Sequence, residues 1–134
     1  MIVETFADPT AATIIAFLRD IGIPVAIEAL PVPTFLPGIL LRDGAVVVDT
    51  ARLRFPGDLL HEAGHLAVCS PDRRASIQGD AGPDPAEEMM AIAWSYAALV
   101  YLQLDPAVVF HAEGYRGGSD GLIGGRLNVA VCIT

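Results

Sequence analysis

The chain has 134 residues, which fits one domain with its own hydrophobic core. Apolar residues make up 53% of it and charged residues only 18%, a balance that excludes a disordered chain. A net charge of −8 opposes binding to nucleic acid and to anionic membrane surfaces. We therefore predict a single domain over residues 1–134 that binds neither, with an apolar surplus available to cover a partner such as a second copy of the chain.

The cysteines and the N-terminus indicate a cytoplasmic protein. Cys69 and Cys132 are far apart and not in a metal-ligand spacing, so they predict no disulfide framework. Glu4 and Asp8 stand where a signal peptide would carry positive charge. The longest apolar run, MMAIAWSYAALVYLQL, has 16 residues and is too short to cross a bilayer.

The first half of the chain predicts a helix and a hairpin. Residues 9–20 have apolar side chains near helical spacing after Thr10, which can act as N-cap. The segment VAIEAL, residues 25–30, fits either a strand or a short helix. Residues 38–49 contain two apolar runs around Asp43-Gly44, a dipeptide that suits a tight hairpin turn.

The second half is mostly helical in this interpretation, because Pro, Gly and Asp mark the ends of long apolar segments. In chain order we predict a helix from near Pro56 to before Ser70, a loop over 71–83, a helix from Asp84 to Leu104, a short turn capped by Asp105, and a strand over 128–134.

The stretch LLHEAGHLAV, residues 59–68, carries a candidate metal site. His61 and His65 are four residues apart, so on a helix both rings can reach a single zinc ion. Glu62 would lie beside the open coordination position and act as general base toward a metal-activated water. Gly64 lets another backbone approach closely. The alternative is an ordinary helix with two histidines, but with three histidines in the chain a chance HExxH is on the order of a few in a thousand.

A catalytic zinc needs a third protein ligand. The motif lacks the further Gly and His of a metzincin, whereas Glu87 and Glu88 follow His65 by 22 and 23 residues on the next helix. Asp84, Pro85 and Glu87 match a capping box, which would occupy the Glu87 side chain. We therefore favour Glu88 as the ligand, with Glu87 as the alternative.

Three residues of the Gly-rich segment FHAEGYRGGSD are candidates for stabilising a developing oxyanion: His111, Tyr115 and Arg116. His111 comes first, because it could also donate a proton in catalysis. The alternative for all three is packing and surface charge. Should neither glutamate bind zinc, His111 and Asp120 are the next candidate ligands.

Together these segments resemble the ImmA/IrrE family of small zinc metallopeptidases over roughly residues 12–104. The resemblance implies an α+β, zincin-like fold in which a small antiparallel sheet packs against the HExxH helix and a following glutamate-bearing helix. It implies that zinc is bound and activated by His61, His65, Glu62 and one of the two later glutamates. Here that helix reads EEMMAIAW instead of the usual EANxFA, so the resemblance does not choose between them.

We therefore predict a zinc-dependent metallopeptidase of gluzincin type, whose partner is a protein or peptide substrate. Known family members cleave regulatory proteins, including repressors. The alternatives are a non-catalytic zincin-like scaffold and a non-peptide zinc hydrolase. We also predict that the HEAGH helix packs against the helix over 84–104 and that Trp94 is buried. If the hairpin exposes an edge strand beside the HEAGH helix, an extended peptide could pair with it.

Overall fold

The structure, a computed structural model, describes residues 8–31, 33–34, 36–82 and 84–109. These residues form a small sheet and helices, which confirms the α+β class. The elements are α1 (Pro9–Asp20), β1 (Val25–Ile27), β2 (Ile39–Arg42), β3 (Ala45–Val48), α2 (Asp58–Val68), α3 (Pro71–Ser76), β4 (Gln78–Gly79) and α4 (Pro85–Tyr101), followed by a 3-10 turn, Pro106–Val108.

The four strands lie in the order β1-β3-β2-β4 and form a mixed sheet. The prediction of an antiparallel sheet is wrong for β1, which pairs in parallel with β3, whereas β2 pairs antiparallel with both β3 and β4. Strand β1 thus lies beside the second strand of the hairpin. The hairpin is therefore central, with β1 and β4 as the outer strands, and β4 covers the edge of β2 at Leu41 and Arg42. The condition for a peptide to pair with an edge of the hairpin is not met along this stretch.

The hairpin turn follows the prediction in detail. Asp43 and Gly44 both have positive φ, 54° and 80°, as a two-residue turn between twisted strands requires. Pairing of Arg42 with Ala45 and of Ile39 with Val48 sets the register. Segment 25–30, for which the sequence left two alternatives, contains strand β1.

Two helix ends differ from the prediction. Asp8 rather than Thr10 caps α1, because the Asp8 carboxylate accepts a hydrogen bond of 2.8 Å from the Thr10 amide. Helix α4 ends at Tyr101, three residues before Leu104. Gln103 adopts a φ of 58°, and the Leu104 amide then donates to the Leu99 carbonyl, a bond that closes the helix in a Schellman motif.

The predicted loop over 71–83 contains two regular elements, so this prediction is wrong for α3 and β4. Ser70 caps α3 by accepting a hydrogen bond from the Arg73 amide at 3.2 Å, and Pro71 occupies the first helical position. Strand β4 then pairs with Leu41 and Arg42 at the outer edge of β2. This segment therefore adds a helix and an edge strand to the fold, where the sequence predicted a loop.

Helix α2 is the central element of the core. Nine of its 11 residues are buried, because α4 covers one side of it while α1, β2 and β3 lie on the others. The predicted packing of α2 against α4 is confirmed. No helix among the described residues is long and apolar enough to cross a membrane.

Trp94 lies at the margin of this core and is only partly buried, so the prediction that it is buried is wrong. It lines a groove of about 830 Å³ between α1 and α4, beside Phe17, whose ring centroid is 6.4 Å from that of Trp94. Apolar side chains of α4 line both the core and this groove. The sequence alone does not show which of them face the core and which face the groove.

Candidate metal centre

Helix α2 presents both histidines of the motif toward α4. His61 and His65 lie one turn apart with ring centroids separated by 5.1 Å, and both are buried, with 8% and 2% of their surfaces exposed. Buried imidazoles need polar partners. These partners come mainly from the first turn of α4.

Gly64 allows α4 to lie this close. A Cβ atom built on Gly64 would be only 2.8 Å from the carbonyl oxygen of Ala91, closer than a real Cβ comes to such an atom. Ala91 is one helical turn after Glu88, so the contact fixes the first turn of α4 opposite the two histidines. The prediction that Gly64 permits close approach of another backbone is confirmed.

Glu88 joins the two histidines. Its Oε1 atom lies 3.1 Å from Nε2 of His61, and its Oε2 atom lies 2.9 Å from Nε2 of His65. One ligand atom from each of these three residues lies within 4.8 Å of the others. The structure thus brings together the three residues that the sequence analysis selected as metal ligands, and this group could hold a metal ion.

The donor set fits zinc. Two imidazoles and one glutamate form the ligand set of several catalytic zinc sites, and the ligand atoms of a tetrahedral zinc ion lie roughly 3.3–3.6 Å apart. The Glu88 carboxylate presents a different oxygen to each Nε2 atom, at 3.1 and 2.9 Å, so its position between the two rings suits a shared ion. Among the described residues these three would therefore hold the ion.

Both imidazole rings contact the Glu88 carboxylate. Hydrogen bonds from His61 and His65 hold the pKa of Glu88 well below its usual range. Burial of His65 disfavours its charged form, but its hydrogen bonds to Glu88 and Glu87, together with the charges of Glu62 and Glu88, raise the pKa of His65. The site thus favours the anionic form of Glu88, which is the form that binds a divalent cation.

Glu87 has a different role from the one predicted. Its carboxylate does not return to the N-terminus of α4, where Asp84 alone accepts the hydrogen bonds of the first turn. Instead, Glu87 Oε1 lies 3.0 Å from Nδ1 of His65 on the side of the ring away from Glu88. The capping-box reason for preferring Glu88 is therefore wrong, although the geometry selects the same glutamate.

Glu62 lies beside the donor set without belonging to it. Its Oε1 atom is 3.9 Å from Nε2 of His61, and only 6% of the residue is exposed. Burial raises the pKa of Glu62, while the charges of His61 and His65 act in the opposite direction. The predicted general base is therefore a buried carboxylate next to the place where the three ligand atoms converge.

The other candidates from the sequence lie outside the described residues: His111, Tyr115, Arg116 and Asp120. Sequence reasoning missed Arg73, whose guanidinium contacts Glu87 from α3. The helix-start signal Ser70-Pro71 was available to place Arg73 on a helix, but nothing in the sequence indicated that it faces the site.

Comparison with protein-family models, with curated proteins and with solved structures found no match to this chain. The resemblance to the ImmA/IrrE family therefore stays a prediction from the sequence.

Proposed function

We propose that this chain is a zinc-dependent hydrolase of gluzincin type that cleaves peptide bonds. The observation that carries the proposal is the convergence of His61, His65 and Glu88 from two packed helices, with the Glu62 carboxylate beside them. Two buried imidazoles, a half-buried carboxylate ligand and a second, separate carboxylate are a set of groups that can support metal-assisted hydrolysis.

Each residue has a distinct task in the proposed reaction. Bound zinc supplies a Lewis acid that polarises a carbonyl oxygen and lowers the pKa of water. His61, His65 and Glu88 would hold the ion, because one ligand atom from each lies within 4.8 Å of the others. Glu62 accepts a proton from the attacking water as the new carbon–oxygen bond forms, and then transfers it to the amine nitrogen as the carbon–nitrogen bond breaks.

The substrate class comes from the family resemblance, since the site chemistry requires only a polarisable carbonyl. We propose limited cleavage of a regulatory protein in the cytoplasm. A non-catalytic scaffold would keep the same ligands for stability, because bound zinc contributes folding free energy. A non-peptide hydrolase would use the same metal and base on an ester or a small amide.

The substitution Glu62→Gln tests the catalytic proposal. We expect zinc content equal to that of the wild type, because Glu62 is not one of the three converging ligands, and a loss of hydrolysis of at least about 100-fold, the lower range for removal of a general base. Zinc content is measured by elemental analysis, and hydrolysis with fluorescently labelled, unfolded casein. Glu28→Gln, in an exposed pair with Arg42, is the matched control and should behave as wild type.

Three results would contradict this account. If wild-type and Glu62→Gln proteins hydrolyse casein equally, Glu62 is not the base. If zinc-loaded wild type cleaves neither casein nor small esters and amides, the protein is a non-catalytic scaffold and the catalytic proposal is wrong. Turnover of esters or amides without cleavage of casein would indicate the non-peptide hydrolase.

A further inference from the structure

Arg73 and Glu87 form a chain of contacts that ends on a candidate ligand. Arg73 Nε lies 3.2 Å from Glu87 Oε2, and its Nη2 atom lies 3.3 Å from Glu87 Oε1. This two-point contact fixes the plane of the carboxylate. Glu87 Oε1 in turn lies 3.0 Å from Nδ1 of His65, so the guanidinium and the imidazole share one carboxylate.

The two nitrogens of His65 therefore face different carboxylates. Nδ1 faces Glu87, while Nε2 faces Glu88 at 2.9 Å. When Nδ1–H donates to Glu87, the ring is held in the form whose Nε2 lone pair is available to a metal. Glu87 is buried, so few solvent fluctuations compete with this bond.

Arg73 also connects these contacts around His65 to the segment over residues 70–82. The same Nη2 atom donates to the carbonyl oxygen of Ala81, and the Arg73 amide donates to the side chain of Ser70. Arg73 thus contacts both ends of the segment that contains α3 and β4. A displacement of α3 large enough to break the contact between Arg73 and Glu87 would leave the carboxylate beside His65 without its arginine partner.

We propose that Glu87 and Arg73 are positioning residues that orient His65 for zinc and couple the segment over 70–82 to zinc binding. This inference rests on the zinc site proposed above. If Arg73 raises the affinity for zinc by holding α3 against Glu87, then zinc must stabilise α3 in that position by the same factor, because coupling between two equilibria is reciprocal.

The first test measures zinc affinity by competition with a chromophoric chelator. We expect Glu87→Ala to weaken zinc binding by about 10–100-fold, as for loss of other outer-shell partners of a metal-bound histidine, and Arg73→Met by about tenfold. Arg73→Lys keeps the positive charge but loses the two-point contact of the guanidinium with Glu87. The zinc affinity of this variant should therefore lie between those of Arg73→Met and wild type. Arg42→Met removes an arginine that pairs with an exposed glutamate elsewhere and should bind zinc as wild type does.

The second test separates positioning from a general loss of stability. In the zinc-loaded protein with ¹⁵N-labelled histidine, we expect a slowly exchanging Nδ1–H resonance from His65 that is lost in Glu87→Ala. Hydrogen exchange of the peptide over 70–82 should slow when zinc is added to wild type or Arg42→Met, and change far less in Arg73→Met. Unfolding of each variant in the presence of EDTA reports the metal-free stability independently.

The outcomes distinguish the inference from the proposal on which it rests. If wild type binds no zinc, both fail. If wild type binds zinc and the Arg73→Met and Glu87→Ala variants bind it as tightly as Arg42→Met, the zinc site stands and the inference is overturned. A loss of affinity in Arg73→Met without any change in the effect of zinc on exchange over 70–82 overturns the coupling.

Discussion

Replacing Glu88 by glutamine will weaken zinc binding by more than about 100-fold, beyond the range for loss of an outer-shell partner. Glu88 is the one anionic member of the converging group, and its two oxygens reach Nε2 of His61 at 3.1 Å and Nε2 of His65 at 2.9 Å. A neutral amide oxygen compensates poorly for a lost negative charge beside a dication. A competition titration against a chelator of known affinity measures the change.

Glu87→Gln is the matched control, because it makes the same chemical change at the adjacent residue. Its amide oxygen can still accept the hydrogen bond from Nδ1 of His65, so its effect should be smaller than that of Glu87→Ala and far smaller than that of Glu88→Gln. If Glu87→Gln loses zinc while Glu88→Gln retains it, the two carboxylates have been assigned the wrong way round. If both retain wild-type affinity, neither glutamate is the third ligand.

The second large effect is expected from Gly64→Val, which adds a branched side chain where α2 and α4 are in closest contact. Even a Cβ on this residue would lie 2.8 Å from the Ala91 carbonyl oxygen, so α4 must shift outward. We expect the free energy of unfolding to fall by about 1–3 kcal/mol, the usual cost of overpacking a core. Zinc affinity should also fall, because Glu88 lies one turn from Ala91 and moves with α4. Chemical denaturation in EDTA and zinc competition measure the two effects.

Gly64→Ala tests the sign of the change in the free energy of unfolding. Replacement of a helical glycine by alanine stabilises a helix by roughly 0.5–1 kcal/mol when space is available. At Gly64 we expect destabilisation instead, since the alanine methyl group would have to displace the backbone of Ala91. A Gly64→Ala variant that is more stable than wild type and binds zinc equally well would show that close helix packing does not hold the site together.

Local signals in the sequence were sufficient for the main elements that build the site. The spacing of His61 and His65 requires only a helix to place both rings on one side, and the Asp84-Pro85 signal places the start of the next helix. Asp43-Gly44 similarly predicts the hairpin from conformational preferences within two residues. These predictions depend on neighbours in the chain, so they do not require knowledge of the tertiary structure.

Several features that the sequence analysis missed or predicted wrongly depend on contacts between distant segments. Adjacent residues on a helix point about 100° apart. The periodicity of α4, which is apolar on nearly all sides, could not show that Glu88 faces Nε2 of His65 while Glu87 faces Nδ1. The pairing of β1 with β3, the contact of Arg73 with Glu87 and the partial exposure of Trp94 likewise arise only when separate elements pack together.

Metal analysis of the purified protein beside a His61→Ala/His65→Ala variant tests the central claim most directly. Both proteins are equilibrated with zinc, freed of excess ion on a desalting column and analysed for zinc and for protein concentration. We predict one zinc ion per chain in wild type and none above background in the double variant, because two of the three converging donors are removed. Equal zinc content in the two proteins, or no zinc in wild type, would contradict a metal centre at these residues.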